Sequence, residues 1–271
     1  MSKKGSSIKE VFASIFATSA ILVAFAVSMY LFKFIMGSPV NFEGGNPAGH
    51  PLPGNYLAII YKGGAIVPIL MTCVLTLLIF TFERFITLSR ANGKGRLNAF
   101  VRNLQSLMNE GKIDEALAAC DKQQGSLANV MRAGLTRYND LKNDKELEKD
   151  QKILSVQKSL EEATALELPM LGKNMIIFST LASISVLIGL IGTVLGMIKA
   201  FAALAQSGAP DALALATGIS EALINTAFGI TGSTIAIVMY NYFSSKVDGY
   251  TFRIDEAGFS LTQTFAASLK N

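Results

Sequence analysis

Apolar residues dominate four long stretches of the chain: Val11–Met36, Ala65–Phe82, Met175 to about Ala205, and about Leu213 to Phe243. Each approaches the roughly 20 residues with which an α-helix crosses a bilayer. The first follows Lys3, Lys4 and Lys9. Its apolar core is longer than the roughly 7–15 residues of a signal-peptide core and no A-x-A-like site follows, so it reads as a retained helix. Lys33, near its end, can extend its ammonium to the interface. The stretch between runs two and three has a different pattern. In "RLNAFVRNLQSLMNEGKIDEALAACDKQ", Leu97, Val101, Leu104 and Leu107 or Met108 recur at helical spacing. "GKIDEALAAC" reads as a turn and a helix with Asp114 near its start, and "LANVMRAGLTRYNDL" as a further helix. A long charged helix follows, with Pro169 near the membrane and the charge run Lys142–Lys152 as a solvated face.

The predicted architecture is all-α: a polytopic membrane protein with four transmembrane helices and long helices extending into a cytoplasmic helical region. Its segments are an N-terminal tip and first span (1–36), an outer loop (37–64), a second span (65–85), a helical region (86–174), a two-helix core (175–243) and a C-terminal helix (244–271). The outer loop, rich in Pro and Gly, is expected to lack regular structure.

Composition agrees. Of 271 residues, 51% are hydrophobic and 16% charged, against about 25% charged in a soluble domain. Basic residues then set the direction. They precede run one, follow run two (Arg84, Arg90, Lys94, Arg96, Arg102) and follow run four (Lys246, Arg253), while "GSPVNFEGGNPAGHPLPGNY" and "QSGAPDA" have none. This places both termini and the central region on the cytoplasmic side. The net charge of +4 is therefore topological and gives no ground for a nucleic-acid partner. Cys73 and Cys120 read as unpaired thiols, and His50 is the only histidine, which excludes a histidine metal cluster. No phosphate-loop motif, metal-ligand spacing or nucleophile–base pair appears, so neither an enzyme nor a cofactor is indicated.

The candidate chemistry lies in runs three and four. At about 100° per residue, Glu221, Asn225, Thr226, Gly229, Gly232, Ser233 and Ala236 share one side of run four, opposite large aliphatic residues. In run three, Ala182, Ser185, Gly189, Gly192, Thr193, Gly196, Ala200 and Ala203 share a face, with Lys199 at its edge. Close helix packing accounts for Gly189, Gly192, Gly196, Gly218 and Gly229. It does not account for Glu221, because an ionisable group in hydrocarbon costs several kcal/mol and usually faces an interior or aqueous path. Lys199 and Glu221 lie at about the same depth, each about 10–12 Å from the outer loop at 1.5 Å per residue. An ion pair between them would favour an electrostatic or structural role for Glu221 over proton shuttling.

"GLIGTVLGMIKAF" followed by "GISEALINTAFGITGSTIAIVMYN" resembles the MotA/TolQ/ExbB proton-channel family, most closely its ExbB and TolQ branch. "FERFITL" and "GKIDEALAAC…LANVMRAGL" are similar to the same family, so the resemblance runs from about Ile59 to Tyr242. It implies a homopentamer in the bacterial inner membrane. A dimer of a single-span subunit like ExbD or TolR would occupy its pore, and a TonB- or TolA-like protein would pass work to the outer membrane. By motif, Glu221, Thr193 and Thr226 become pore-lining candidates on the proton pathway, with Asn225 beside them. The branch usually has three spans, so run one is an extra helix, expected at the periphery. Motility stators of the family usually lack the membrane glutamate. A scaffold without ion flux is the alternative from another class.

Overall fold

The computed structural model describes residues 3–142, 144, 146–205 and 211–268, with side chains from residue 16 onward. Lys3, Lys4 and Lys9, and most of the loop "QSGAPDA", lie outside the described side chains. In chain order the helices are α1 (Lys3–Tyr30), α2 (Tyr56–Tyr61), α3 (Val67–Ala91), α4 (Leu97–Asn109), α5 (Ile113–Gln123), α6 (Gly125–Lys142), α7 (Lys149–Gly172), α8 (Met175–Leu204) and α9 (Ala212–Ser268). No strand occurs among the described residues. Four helical stretches are long and apolar enough to cross a membrane: Phe16–Met36, Gly64–Ala91, Lys149–Leu204 and Ala212–Ser268. The chain is an all-α, multi-pass membrane protein. Two compact units divide it, Met1–Thr81 with Ile176–Tyr240, and Phe82–Met175 with Asn241–Asn271.

In the first unit, α1, α8 and α9 turn mainly small residues inward and large ones outward, as expected where the surrounding solvent is lipid, while α3 buries Leu70, Leu77 and Phe80. Ala20, Ala24 and Ser28 of α1 are buried at four-residue spacing, while Leu22, Val23 and Tyr30 are exposed. Phe16 meets Phe80 edge-on at 6.2 Å. At the other end, Leu31 and Phe32 pack on a cluster of Met36, Val67 and Met71. The extra first helix thus packs against α3 of its own chain. It ends in a π-turn, Leu31–Met36, whose last carbonyls are held from outside: the Asn41 amide donates to the carbonyls of Ile35 (2.7 Å) and Met36 (3.1 Å).

The outer loop is more ordered than its Pro/Gly content predicts. Phe42 bridges Pro51. Asn55 caps α2 by accepting from the backbone amides of Leu57 and Ala58 at 3.1 and 3.2 Å, the ordinary way to satisfy free first-turn donors. The Lys62 ammonium donates to the carbonyls of Pro47 and Ala48 at 3.0 and 2.9 Å, and burial lowers its pKa. Polar side chains closing on backbone groups, rather than hydrophobic periodicity, give this loop its shape.

The second unit is a helical bundle in its own right. Leu97, Phe100, Leu104 and Met108 form the buried face of α4. Phe100 takes the place expected of Val101, which is half-buried. The α5 and α6 cores follow (Ile113, Ala116, Cys120; Leu127, Val130, Met131, Leu135, Tyr138), with Val156 and Leu160 of α7. Ile254, Ala257, Leu261 and Phe265 of α9 complete it, Phe265 meeting Tyr138 edge-on at 4.5 Å. The C-terminal segment is therefore one helix with run four. Lys152 departs from the solvated face expected of its charge run: it is buried and donates to the Asp144 carbonyl. Arg84 is 1% exposed. Its guanidinium donates through Nε and Nη2 to the two Glu83 oxygens at 2.7 and 2.6 Å, and through Nη1 to the Leu171 carbonyl at 3.2 Å. That satisfies an α7 C-terminal carbonyl with a cation, the favourable sign for a helix C-terminus.

Candidate functional site

Residues with almost no side chain let α8 and α9 approach closely. A Cβ added at Gly189 would lie 3.1 Å from the Gly229 Cα, and one at Gly229 would lie 2.7 Å from the Ser185 carbonyl oxygen. Gly196 and Gly218 sit at the other end of the seam, where added Cβ atoms would come within 2.6 Å of the Ala222 nitrogen and 2.7 Å of the Ala200 nitrogen. Gly192 faces Asn225, whose Cβ would be 2.5 Å away. The Ser233 hydroxyl donates to the Ala182 carbonyl at 2.6 Å. The two small faces thus meet each other within one chain.

This seam positions the polar groups. Glu221 is turned into the protein, its side chain 7% exposed. The Lys199 ammonium lies 2.7 Å from Oε1 and 2.8 Å from Oε2. The lysine side chain itself stays 60% exposed, so the cation forms the outer face of the pair. Behind the carboxylate lies the backbone of Gly64, at φ +75°, where an added Cβ would fall 2.3 Å from Oε1. One turn further along α9, Asn225 is fully buried and its amide donates to the Gly63 carbonyl at 2.9 Å. The Asn225 Oδ1 has no hydrogen-bond partner among the described residues. Sequence reasoning missed Gly63 and Gly64: "KGGA" marks a turn-permissive pair, but its contact with Asn225 and Glu221 is visible only in the fold.

Thr193 and Thr226 form a second polar locus. Their hydroxyls touch each other, and each also lies 3.1 Å from its own helix carbonyl four residues back, Gly189 and Ala222. Two hydroxyl protons cannot serve three contacts. One threonine therefore donates to the other, and the acceptor donates to its own helix. Both side chains are half-buried.

The structure brings together Glu221, Lys199 and Asn225, and separately Thr193 with Thr226. No cluster of metal-ligating groups is present among the described residues. Chemically, the arrangement holds opposite charges in contact inside an apolar span, with donors and acceptors on the neighbouring turn. Such groups in a membrane mark ion or substrate paths more often than packing.

A family model described as the MotA/TolQ/ExbB proton channel family matches residues 122–256. The Tol-Pal system protein TolQ of Pseudomonas aeruginosa is 28% identical over 153 residues, covering 56% of this chain and 66% of the relative. The biopolymer transport protein ExbB of Pseudomonas putida is 33% identical over 90 residues, 32% of this chain and 27% of the relative. The TolQ of Haemophilus influenzae is 26% identical over 196 residues, 72% of this chain and 86% of the relative. The match thus spans less than two thirds of the length of both Pseudomonas relatives.

Proposed function

Since the chain belongs to the MotA/TolQ/ExbB proton channel family, we propose that it is a proton-channel subunit of the bacterial inner membrane. With a single-span subunit like ExbD or TolR, it uses the proton motive force to energise a TonB- or Tol-type system, through a TonB- or TolA-like protein. The observation that supports this reading is a buried acid in a spanning helix: Glu221 is paired with Lys199, which favours an electrostatic or structural role for it over proton shuttling, beside the Thr193–Thr226 hydroxyls. Each charge crossing 100 mV releases about 2.3 kcal/mol, so a few protons per cycle supply useful work.

Thr193, Thr226 and the outward side of Lys199 are the groups this chain offers to a partner helix, with Glu221 and Asn225 behind them. The distribution of Lys and Arg supports both termini and residues 86–174 being cytoplasmic. Leu154, Leu166, Phe252 and Phe259 are exposed apolar residues of the second unit, which fits self-association, as a homopentamer by resemblance. Glu221→Ala should accumulate and assemble yet fail to support the energised process in cells lacking their own subunit. Full activity in that variant removes Glu221 from the mechanism. The glycine seam favours a second reading, a scaffold without ion flux, under which Glu221→Ala retains activity whenever it assembles.

A further inference from the structure

Arg96, Arg102 and Arg253 line one cavity of about 540 Å³ in the second unit, and Arg102 and Arg253 also line an adjoining one of about 320 Å³. That volume is in the range of small-molecule sites. None of the three guanidiniums makes a hydrogen bond or ion pair among the described residues, although Glu256 stands on the wall of the smaller cavity. The same wall carries the first turn of α4. Its N-cap is Arg96, no side chain caps it, and its first turn holds no acid. The amides of Leu97 and Asn98 are therefore free donors at the positive end of a 13-residue helix. Arg96 stands at that end, Arg102 lies mid-helix and Arg253 comes from α9, so three exposed cations gather at one cavity, with Arg96 also opposing the helix dipole. An anion with several acceptor oxygens relieves both.

We propose that this cavity binds a phosphate-bearing anion, gripped by Arg96, Arg102 and Arg253 and seated on the α4 amides. Guanidinium forks match phosphate oxygens two at a time, and a helix start adds fixed donors. A phospholipid headgroup and a soluble phosphate ester share this chemistry. Asn92, on the cavity wall, directly follows α3, whose apolar stretch runs Gly64–Ala91, so the cavity sits at the end of a spanning helix, within arginine reach of a headgroup layer about 5–8 Å deep.

The test uses the full chain in nanodiscs. In phosphatidylcholine discs, inorganic pyrophosphate is titrated by calorimetry. In phosphatidylglycerol discs without pyrophosphate, retained lipid is read by native mass spectrometry. Saturable binding in the first arm identifies a soluble ligand, and retained phosphatidylglycerol in the second a headgroup. In whichever arm binds, Arg102→Gln should weaken binding about tenfold or more, Arg253→Gln likewise, and Lys94→Gln, outside the cavity, should leave it unchanged. The wild-type circular dichroism spectrum in at least one arginine variant keeps the comparison valid. No saturable binding in either arm, or an equal loss in Lys94→Gln, overturns the site and leaves only diffuse surface attraction.

Discussion

Lys199 grips both oxygens of Glu221 across the α8–α9 seam, at 2.7 and 2.8 Å, from a position that is itself exposed. Breaking a fully buried pair by removing one partner costs about 3–5 kcal/mol. The exposure of Lys199 reduces that, so Lys199→Met should destabilise by about 1–3 kcal/mol. Glu221→Gln should cost less, because it leaves no unpaired buried charge. The double variant should be more stable than the sum of the singles predicts. Thermal unfolding in detergent, read as a double-mutant cycle, checks this; strict additivity means the pair contributes nothing.

Gly64 and Gly44 separate backbone strain from collision. Both have positive φ, +75° and +65°, but a Cβ at Gly44 meets open space while one at Gly64 meets the Glu221 carboxylate. Gly44→Ala should cost about 1 kcal/mol from conformation alone. Gly64→Ala should cost more than about 2 kcal/mol, and the excess should fall in a Glu221→Ala background. An identical cost in both backgrounds shows that the carboxylate is not what occupies that space.

Arg84 offers a test of fork geometry. Lysine keeps the charge but cannot serve both Glu83 oxygens and the Leu171 carbonyl at once. Arg84→Lys should lower stability by about 2 kcal/mol. Unfolding indistinguishable from the parent shows that charge alone suffices there.

Cys120 should be chemically silent. Burial, with a smaller push from Asp121, raises its thiol from the ordinary 9.0 to about 12. The folded state therefore holds this proton more tightly than the unfolded chain. Its stabilising contribution is complete below about pH 9 and is lost as pH rises toward 12. Iodoacetamide at pH 8 should leave Cys120 unmodified in the folded protein and label it after denaturation, as read by mass spectrometry. Rapid labelling of the native protein means α5 opens readily.

The spans and the paired small faces were legible because lipid allows large apolar residues anywhere outward, so smallness on one side signals a neighbouring helix. Gly189, Gly196, Gly218 and Gly229 stand out for that reason. Placing Lys199 level with Glu221 needed only the constant rise of a helix. Other features depend on contacts distant in sequence. Nothing one-dimensional says that Gly63 and Gly64 return to α9, or that Asn41 closes the end of the π-turn. Phe100 displaced Val101 because three- and four-residue steps both keep a helical face, and the larger ring fills the core better. In α7, Lys152 satisfies a local carbonyl, so its charge alone misplaced it.

The loop ahead of α3 is packed against the membrane acid: Lys62 closes the loop, and the next two residues hold Asn225 and back Glu221. The two are thermodynamically linked. Any molecule that binds the loop differently according to the state of the Lys199–Glu221 pair must shift that pair, and the pair must shift its affinity by the same factor. The loop ahead of α3 is thus a place where the state of a group inside the span can be sensed, or set, by whatever binds there.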